Sequence, residues 1–517
     1  MVRISLCLSL LAASLVQGDS PQPAKPRAKP LLESWQAVYF EGMKVGHLHF
    51  VAQQTGMGDT LRIRSSRTMN LVIKRYGSVL PVQIEQTSEE TPAGKVLALG
   101  LSQQLGNSPK MMFAGTVEDG HLLLRVNEED AVRKIPFDGK ASGLYAQEML
   151  FQSKKVKPGD KLTINSYEVV LPGPLNVQVQ VKNMEKVDRM EVTRTAEGKV
   201  VAQPKPASLL RIEAVPDAIN IAGNEIRLPG KVAWLGANFL PVREQFEMPG
   251  LGVLTVYTTT KEVALQEGVA PDRLPDLGLN INIPLRQTIE NPYRANEAFY
   301  RITMKDKLDK VFPEDDRQKI GEKKDQELEL LVRAQREPGS EENAALPGPE
   351  FLEGNSFIDS DDARIKALAK AITRNINDPW KKAQALEKWV HDSMKVSTAV
   401  GFPSASRIAR DLEGDCRQHA LLLAALARAS GIPSRTAVGL IYVREPGRSP
   451  HFGFHMWSEV WVRGKWVALD AILGEGSVGA THIKMGDHSW AKTQTLAPLL
   501  PIAQTLGKLQ IEVLAVK

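Results

Sequence analysis

A chain of 517 residues exceeds what one hydrophobic core usually serves, so about two to four domains are expected. Its hydrophobic fraction of 43%, charged fraction of 24% and 39 glycines argue against wholesale disorder, collagen or a membrane transporter. A net charge of +5 with no run of lysines or arginines gives no basic stripe, so nucleic acid is not expected as a partner.

At the N-terminus, Met1-Val2-Arg3 precedes a mostly apolar run from Ile4 to Val16, and Val16-Gln17-Gly18 puts small residues before polar Asp19. This is the pattern of a signal peptide over residues 1–18, and the run is shorter than the roughly 18 residues of a membrane span. The protein is therefore expected to be exported, periplasmic or secreted, with no stable membrane insertion once the signal is removed. Cys7 lies inside the apolar run rather than at its end, which does not suit a lipoprotein site. Removal of the signal leaves Cys416 as the sole cysteine, so no intrachain disulfide is possible. A lone thiol in an oxidising compartment is a candidate reactive group. The plain alternative is a buried cysteine that serves as a small hydrophobe.

Residues 19–33, with Pro21 to Pro30 at their centre, read as a Pro-rich tether. Residues 34–290 read as an antiparallel β domain. Val38-Tyr39-Phe40 and Val45-Gly46-His47-Leu48 flank Glu41-Gly42 as in a hairpin, and similar turns recur at Gly94, Gly120 and Gly198. Val177, Val179 and Val181 alternate at period two, as in a strand with one buried face. Nothing in this region clusters catalytic side chains, so it reads as a scaffold or recognition module. Residues 291–349 are expected to hold a small β segment and a charged linker, the mixed charges from Lys305 to Glu329 forming a solvated face. In 350–517 helical spacing appears at Ile365, Leu368, Ala369 and Ile372. It appears again at Ala383, Leu386, Trp389 and Val390, after an Asp378 N-cap and Pro379.

The chemistry concentrates further on. Gly414-Asp415-Cys416 opens the run Leu421-Leu422-Leu423-Ala424-Ala425-Leu426-Ala427, apolar nearly all round and so a buried helix, ended by Gly431 and Pro433. With Asp415 as cap, Cys416 falls in the first turn, where the positive helix end and any nearby imidazolium favour the thiolate. The Asp415 charge opposes this unless its carboxylate is turned onto backbone N–H groups. Thr436 to Val443 reads as a strand, Glu445 to Phe454 as a loop and His455 to Val462 as a second strand. A two-residue Arg463-Gly464 turn pairs Val462 with Lys465, sets Trp457 opposite Asp470 and brings His455 within reach of that carboxylate.

A thiol at a helix end, a histidine and an orienting aspartate form the Cys-His-Asp version of nucleophilic catalysis. In the same order, Gly414-Asp415-Cys416, Gly431-Ile432-Pro433-Ser434-Arg435, His455-Met456-Trp457-Ser458-Glu459 and Trp466 with Asp470 resemble the transglutaminase-like superfamily. The resemblance covers about residues 362–474. Ala471 stands where many relatives have proline, and Met456 where alanine is frequent. The chain is thus expected to be α+β: the large N-terminal antiparallel β region is followed, as the resemblance implies, by a transglutaminase-like, papain-like cysteine enzyme domain. The resemblance further implies Cys416 as nucleophile, His455 as general base and acid, and Asp470 as the residue that orients it.

The implied activity is acyl transfer at an amide, on protein glutamine as cross-linking or deamidation, with a protein or peptide substrate. A cysteine peptidase or amidase of the same superfamily, and a non-catalytic envelope binding protein with a residual triad, stand as alternatives. No cofactor and no metal are expected. His451 and His455 are four apart, as helical metal ligands would be, but Pro450 and Gly453 make the stretch joining them a loop. His419 reads as structural, and His482, Asp487 and His488 as polar residues of an exposed Gly-rich tail. Arg428 and Arg435 are expected in structural ion pairs.

Overall fold

The period-two runs and glycine turns of the first half become strands because alternation places every second side chain on the buried face. A computed structural model describes residues 29–517 apart from 76, 107–109, 127–131, 170, 172, 222–223, 249–250, 306–310, 342–344, 398–402 and 492–498. The expected signal peptide and residues 19–28 of the expected tether lie outside the described residues. No helix among the described residues is long and apolar enough to cross a membrane. The chain divides into two compact units, Met1–Leu277 and Gly278–Lys517.

In the first unit a fourteen-stranded sheet runs antiparallel throughout its described pairs. From Leu32–Phe40 to Arg133–Pro136 the strands follow one another as a meander, and Leu32–Phe40 pairs on its other side with Gly252–Thr259. The Glu41-Gly42 turn has positive φ at both residues, 46° and 77°, as the two-residue hairpin demands. Val177, Val179 and Val181 are buried while Gln178 and Gln180 face solvent.

The helix Leu144–Lys154 packs on this sheet with Gly143 as its N-cap, a residue with no side chain to cap with. The sheet supplies the missing acceptors. Ser88 Oγ accepts the Leu144 N–H at 2.9 Å and Glu90 Oε1 accepts that of Ala146 at 3.0 Å. A Cβ at position 143 would lie 1.6 Å from Glu90 Oε2, so only glycine leaves room for the carboxyl. Burial pushes the Glu90 carboxyl up to about 7 against three backbone N–H donors, with no cation among the groups acting on it.

The second unit is α+β, as the resemblance implies. Its first sheet runs Ile283–Pro284, His451–Val462, Ser434–Val443, His482–His488, with Lys465–Leu469 also paired to His451–Val462. Its second runs Gln318–Lys324, Glu327–Arg333, Glu297–Met304, Leu509–Val516. The stretch 291–349 thus shares a sheet with the last strand of the chain. The solvated-face reading of 305–329 needs correction: Leu328 points inward, as does Leu330 just beyond the stretch, and Arg317 and Gln318 are buried. Side chains of both sheets meet in one core, where Phe452 packs edge-on against Tyr300 and Tyr442 at 5.6 and 6.2 Å.

The helix Cys416–Ala429 fits against the first sheet with Leu421 through Ala427 fully buried. Each such leucine stabilises by about 1.5–3 kcal/mol relative to exposure. Two hydroxyls tie it down: Ser458 Oγ donates to the Ala420 carbonyl at 2.8 Å and Ser434 Oγ to that of Ala424 at 2.7 Å. Helices Ala363–Ile372, Pro379–Ser393 and Ala405–Asp411 pack on its other sides. Asp378 caps Pro379–Ser393 through the Lys381 N–H at 2.8 Å.

Candidate active site

The start of the cysteine helix is set by three consecutive residues. A parallel two-residue pairing of Lys395–Val396 with Glu413–Gly414 fixes the approach, and Asp415 then caps. Its Oδ1 accepts the Arg417 N–H at 3.0 Å, while Gln418 Oε1 accepts the Asp415 N–H at 2.9 Å, a reciprocal capping box. Arg417 also folds back on the carboxylate, with its Nη2 2.8 Å from Oδ2. The Asp415 charge that opposes a thiolate is thus countered by a guanidinium next to the cysteine. Cys416 is half-buried, reachable from outside.

His455 lies in the strand His451–Val462 and Asp470 just past Lys465–Leu469. Arg463 and Gly464 make a two-residue turn with φ of 50° and 83°, and Val462 pairs with Lys465. In that register His455 Nε2 comes to 2.7 Å from Asp470 Oδ2. Cys416 also lies close enough to act on this imidazole. Burial alone would drive the proton off His455. The charges of Asp470 and Cys416, with the hydrogen bond to Asp470, outweigh it and hold the imidazole well above its usual value. Burial would likewise raise Asp470, but the charge and hydrogen bond of His455 and the bond from His482 hold it far below the usual carboxylate range.

A second ring reaches the same carboxylate. His482, from the strand His482–His488, is fully buried with its Nε2 3.0 Å from Asp470 Oδ2. Burial pushes this imidazole down to about 4 despite the carboxylate, so it is neutral. Gly439 makes the approach possible. A Cβ there would lie 2.0 Å from the Ile483 carbonyl and 3.0 Å from the Trp457 ring, and the ladder shifts register at that point. From the helix Pro379–Ser393, Glu387 Oε1 accepts the Asp470 N–H at 3.0 Å. Burial raises this carboxyl to about 8, with the Asp470 charge adding to the effect, so Glu387 is protonated at neutral pH. Among the described residues, His455, Asp470 and His482 are the one group of three ligand-type atoms, all within 4.8 Å of one another, that is spaced to hold an ion. As they stand, the two rings contact one oxygen by hydrogen bonding.

Residues 366–471, which span Cys416, His455 and Asp470, match the family model of the transglutaminase-like superfamily. The chain carries a transglutaminase-like domain. No curated protein is significantly similar to it. Among solved structures, a candidate cysteine protease from Cytophaga hutchinsonii is similar at 16% identity, covering 44% of this chain and 88% of its own, with a TM-score of 0.30. A β-barrel-like protein of a domain of unknown function from Brucella abortus is similar at 11%, covering 45% and 98%, with a TM-score of 0.30. A candidate protease from Parabacteroides distasonis is similar at 10%, covering 78% and 66%, with a TM-score of 0.19. At such scores these likenesses carry no argument.

The transglutaminase-like domain corrects several expectations around its site. His482 is buried rather than exposed in a tail. Asp487 binds Arg435 at 2.9 Å and Lys484 at 2.8 Å, and His488 Nδ1 accepts the Trp490 N–H at 2.7 Å. The reason is the pairing of Ser434–Val443 with His482–His488, which draws the Gly-rich segment into the sheet. The loop expected through Phe454 is strand from His451, because Val443 pairs with it. Arg428 makes no ion pair in its described contacts. It donates to the carbonyls of Glu353, Ser434 and Ser489, and burial lowers it to about 10. Arg435 does pair, with Glu459 and Asp487, over the face of Trp466 at 4.1 Å. His419 is buried and donates from Nδ1 to the Asp415 carbonyl at 2.8 Å.

Proposed function

We propose that this domain catalyses thiol-dependent acyl transfer at an amide, with the glutamine side chain of a protein as acyl donor. The Cys416 thiolate attacks the carboxamide carbon. The Cys416 N–H, which has no acceptor within its helix, steadies the oxyanion. The C–N bond breaks as the His455 imidazolium gives its proton to the departing ammonia, leaving a thioester on Cys416. An amine or water then adds to the thioester, His455 takes its proton, and the thiolate leaves. Asp470 keeps the ring turned toward the sulfur throughout.

A half-buried thiol at a helix start that acts on His455, whose ring is hydrogen-bonded to a buried carboxylate, is the observation that supports this reading. Wild type and Cys416→Ala incubated with a labelled primary amine and a glutamine-rich protein test it. Incorporation by the wild type alone is the expected result. New peptide termini in place of incorporation would move the reading to a peptidase, and a folded wild type that gives neither product and releases no ammonia would leave a binding protein.

A further inference from the structure

His482 is a buried polar side chain that acyl transfer, as written above, leaves without a task. It lies outside the matched segment 366–471 and comes from a strand two neighbours away from the Asp470 hairpin. Its Nε2 meets the same Asp470 oxygen that His455 meets, at 3.0 and 2.7 Å. Each ring needs a proton on that nitrogen to donate. The Nδ1 of His482 is buried and has no hydrogen-bond partner among the described residues. The ring is held in place by Trp457 edge-on at 5.4 Å, His455 at 5.9 Å and Tyr293 at 6.5 Å. A buried polar atom without a partner costs about 1–3 kcal/mol, which an apolar side chain of similar shape would avoid. The ring's one described hydrogen bond is therefore where a role must be sought.

We propose, resting on the acyl-transfer reading, that His482 is a positioning residue for His455. It fixes the Asp470 carboxylate by a second N–H and takes up part of its charge, so that His455 can release its proton to the leaving group. Two imidazoles on one oxygen cannot both be cationic in a buried site, and the surroundings decide which is. On His455 the charge of Asp470 and then that of Cys416 outweigh burial, while burial, then His455 and Arg317, disfavour the charge on His482. The other titratable groups facing the cluster are His419 from the cysteine helix, Glu387 from Pro379–Ser393 and Tyr293. None of these donates to Asp470 Oδ2 in the described contacts.

The test follows alkylation of Cys416 against pH, read on its own peptide by mass spectrometry, together with kcat and KM for amine incorporation. The upper step of the alkylation profile reports loss of the His455 proton. In His482→Leu the undivided carboxylate charge returns to His455, so that step moves to higher pH. With it, kcat falls about 10- to 100-fold and KM changes little. His482→Gln restores an N–H donor and returns both readouts toward wild type. A packing role alone would lower stability in both variants and leave the upper step in place.

If wild-type Cys416 reacts no faster than a free thiol at mildly acidic pH, the acyl-transfer reading itself fails. If it is activated but His482→Leu keeps the wild-type step and kcat, only the role of His482 is overturned. Should His482→Leu not fold, His482→Asn, whose shorter amide falls away from Oδ2, decides by the same two readouts against His482→Gln.

Discussion

Glu90 in the first unit and Asp470 in the second are carboxyls almost wholly removed from water, yet burial takes them in opposite directions. Glu90 receives neutral backbone donors at a helix start and is pushed up to about 7. Asp470 receives His455, whose charge the carboxylate itself and then Cys416 favour over burial, as well as neutral His482, and is held far below the usual carboxylate range. Desolvation is the first cause in both. What separates them is a counter-charge, since dipolar donors soften the penalty of burying an anion whereas a cation at hydrogen-bond distance reverses it. The first unit spends its buried acid on holding a helix. The second has charge fixed next to a nucleophile.

Removing the charge at Asp470 is the most direct way to break that contrast. Asp470→Asn keeps the shape but leaves His455 without its anion, so kcat/KM for amine incorporation should fall about 10³- to 10⁴-fold while circular dichroism stays native. A loss under tenfold would mean that His455 does not need an anion at position 470 to work. Below that in size comes the neighbouring network. Lys484 Nζ lies 2.9 Å from Glu459 Oε2 and 3.1 Å from Asp315, and Lys484 with Arg435 holds Glu459 down to about 2 against its burial. Lys484→Met strips one cation from three carboxylates, and urea unfolding should show a loss of about 3–5 kcal/mol. A change below about 1 kcal/mol would show that Arg435 and Arg317 supply enough counter-charge without it.

The contrast also explains what could be read before the structure. The contact between His455 and Asp470 was legible because a two-residue turn fixes register over a few residues, and the cysteine helix because its cap, first turn and stop are adjacent in sequence. His482, Glu387 and Lys484 were not. Each reaches the site through a partner remote in the chain: His482 and Lys484 by strand pairing with Ser434–Val443, Glu387 by helix packing. Period and composition carry no information on which strands pair. The buried hairpin between Gln318 and Arg333 was hidden for a different reason, its inward leucines being outnumbered by charges on the open face.

The smallest effect compares the two raised carboxyls directly. Glu387 is pushed to about 8 and Glu90 to about 7, each from an ordinary 4.5. Because the folded value lies above the unfolded one, each contributes stability that is fully present below about pH 4.5 and lost as pH rises through the folded value. Glu387→Gln and Glu90→Gln remove the titrating group and keep an acceptor for the Asp470 or Ala146 N–H. Relative to either variant, the wild type should lose urea resistance between pH 5 and 9. The divergence should level off near pH 7 for Glu90 and near pH 8 for Glu387, the latter being larger. Wild type and variants that run parallel across this range would mean that neither carboxyl stays protonated in the fold, and that a cation is not what separates Asp470 from Glu90.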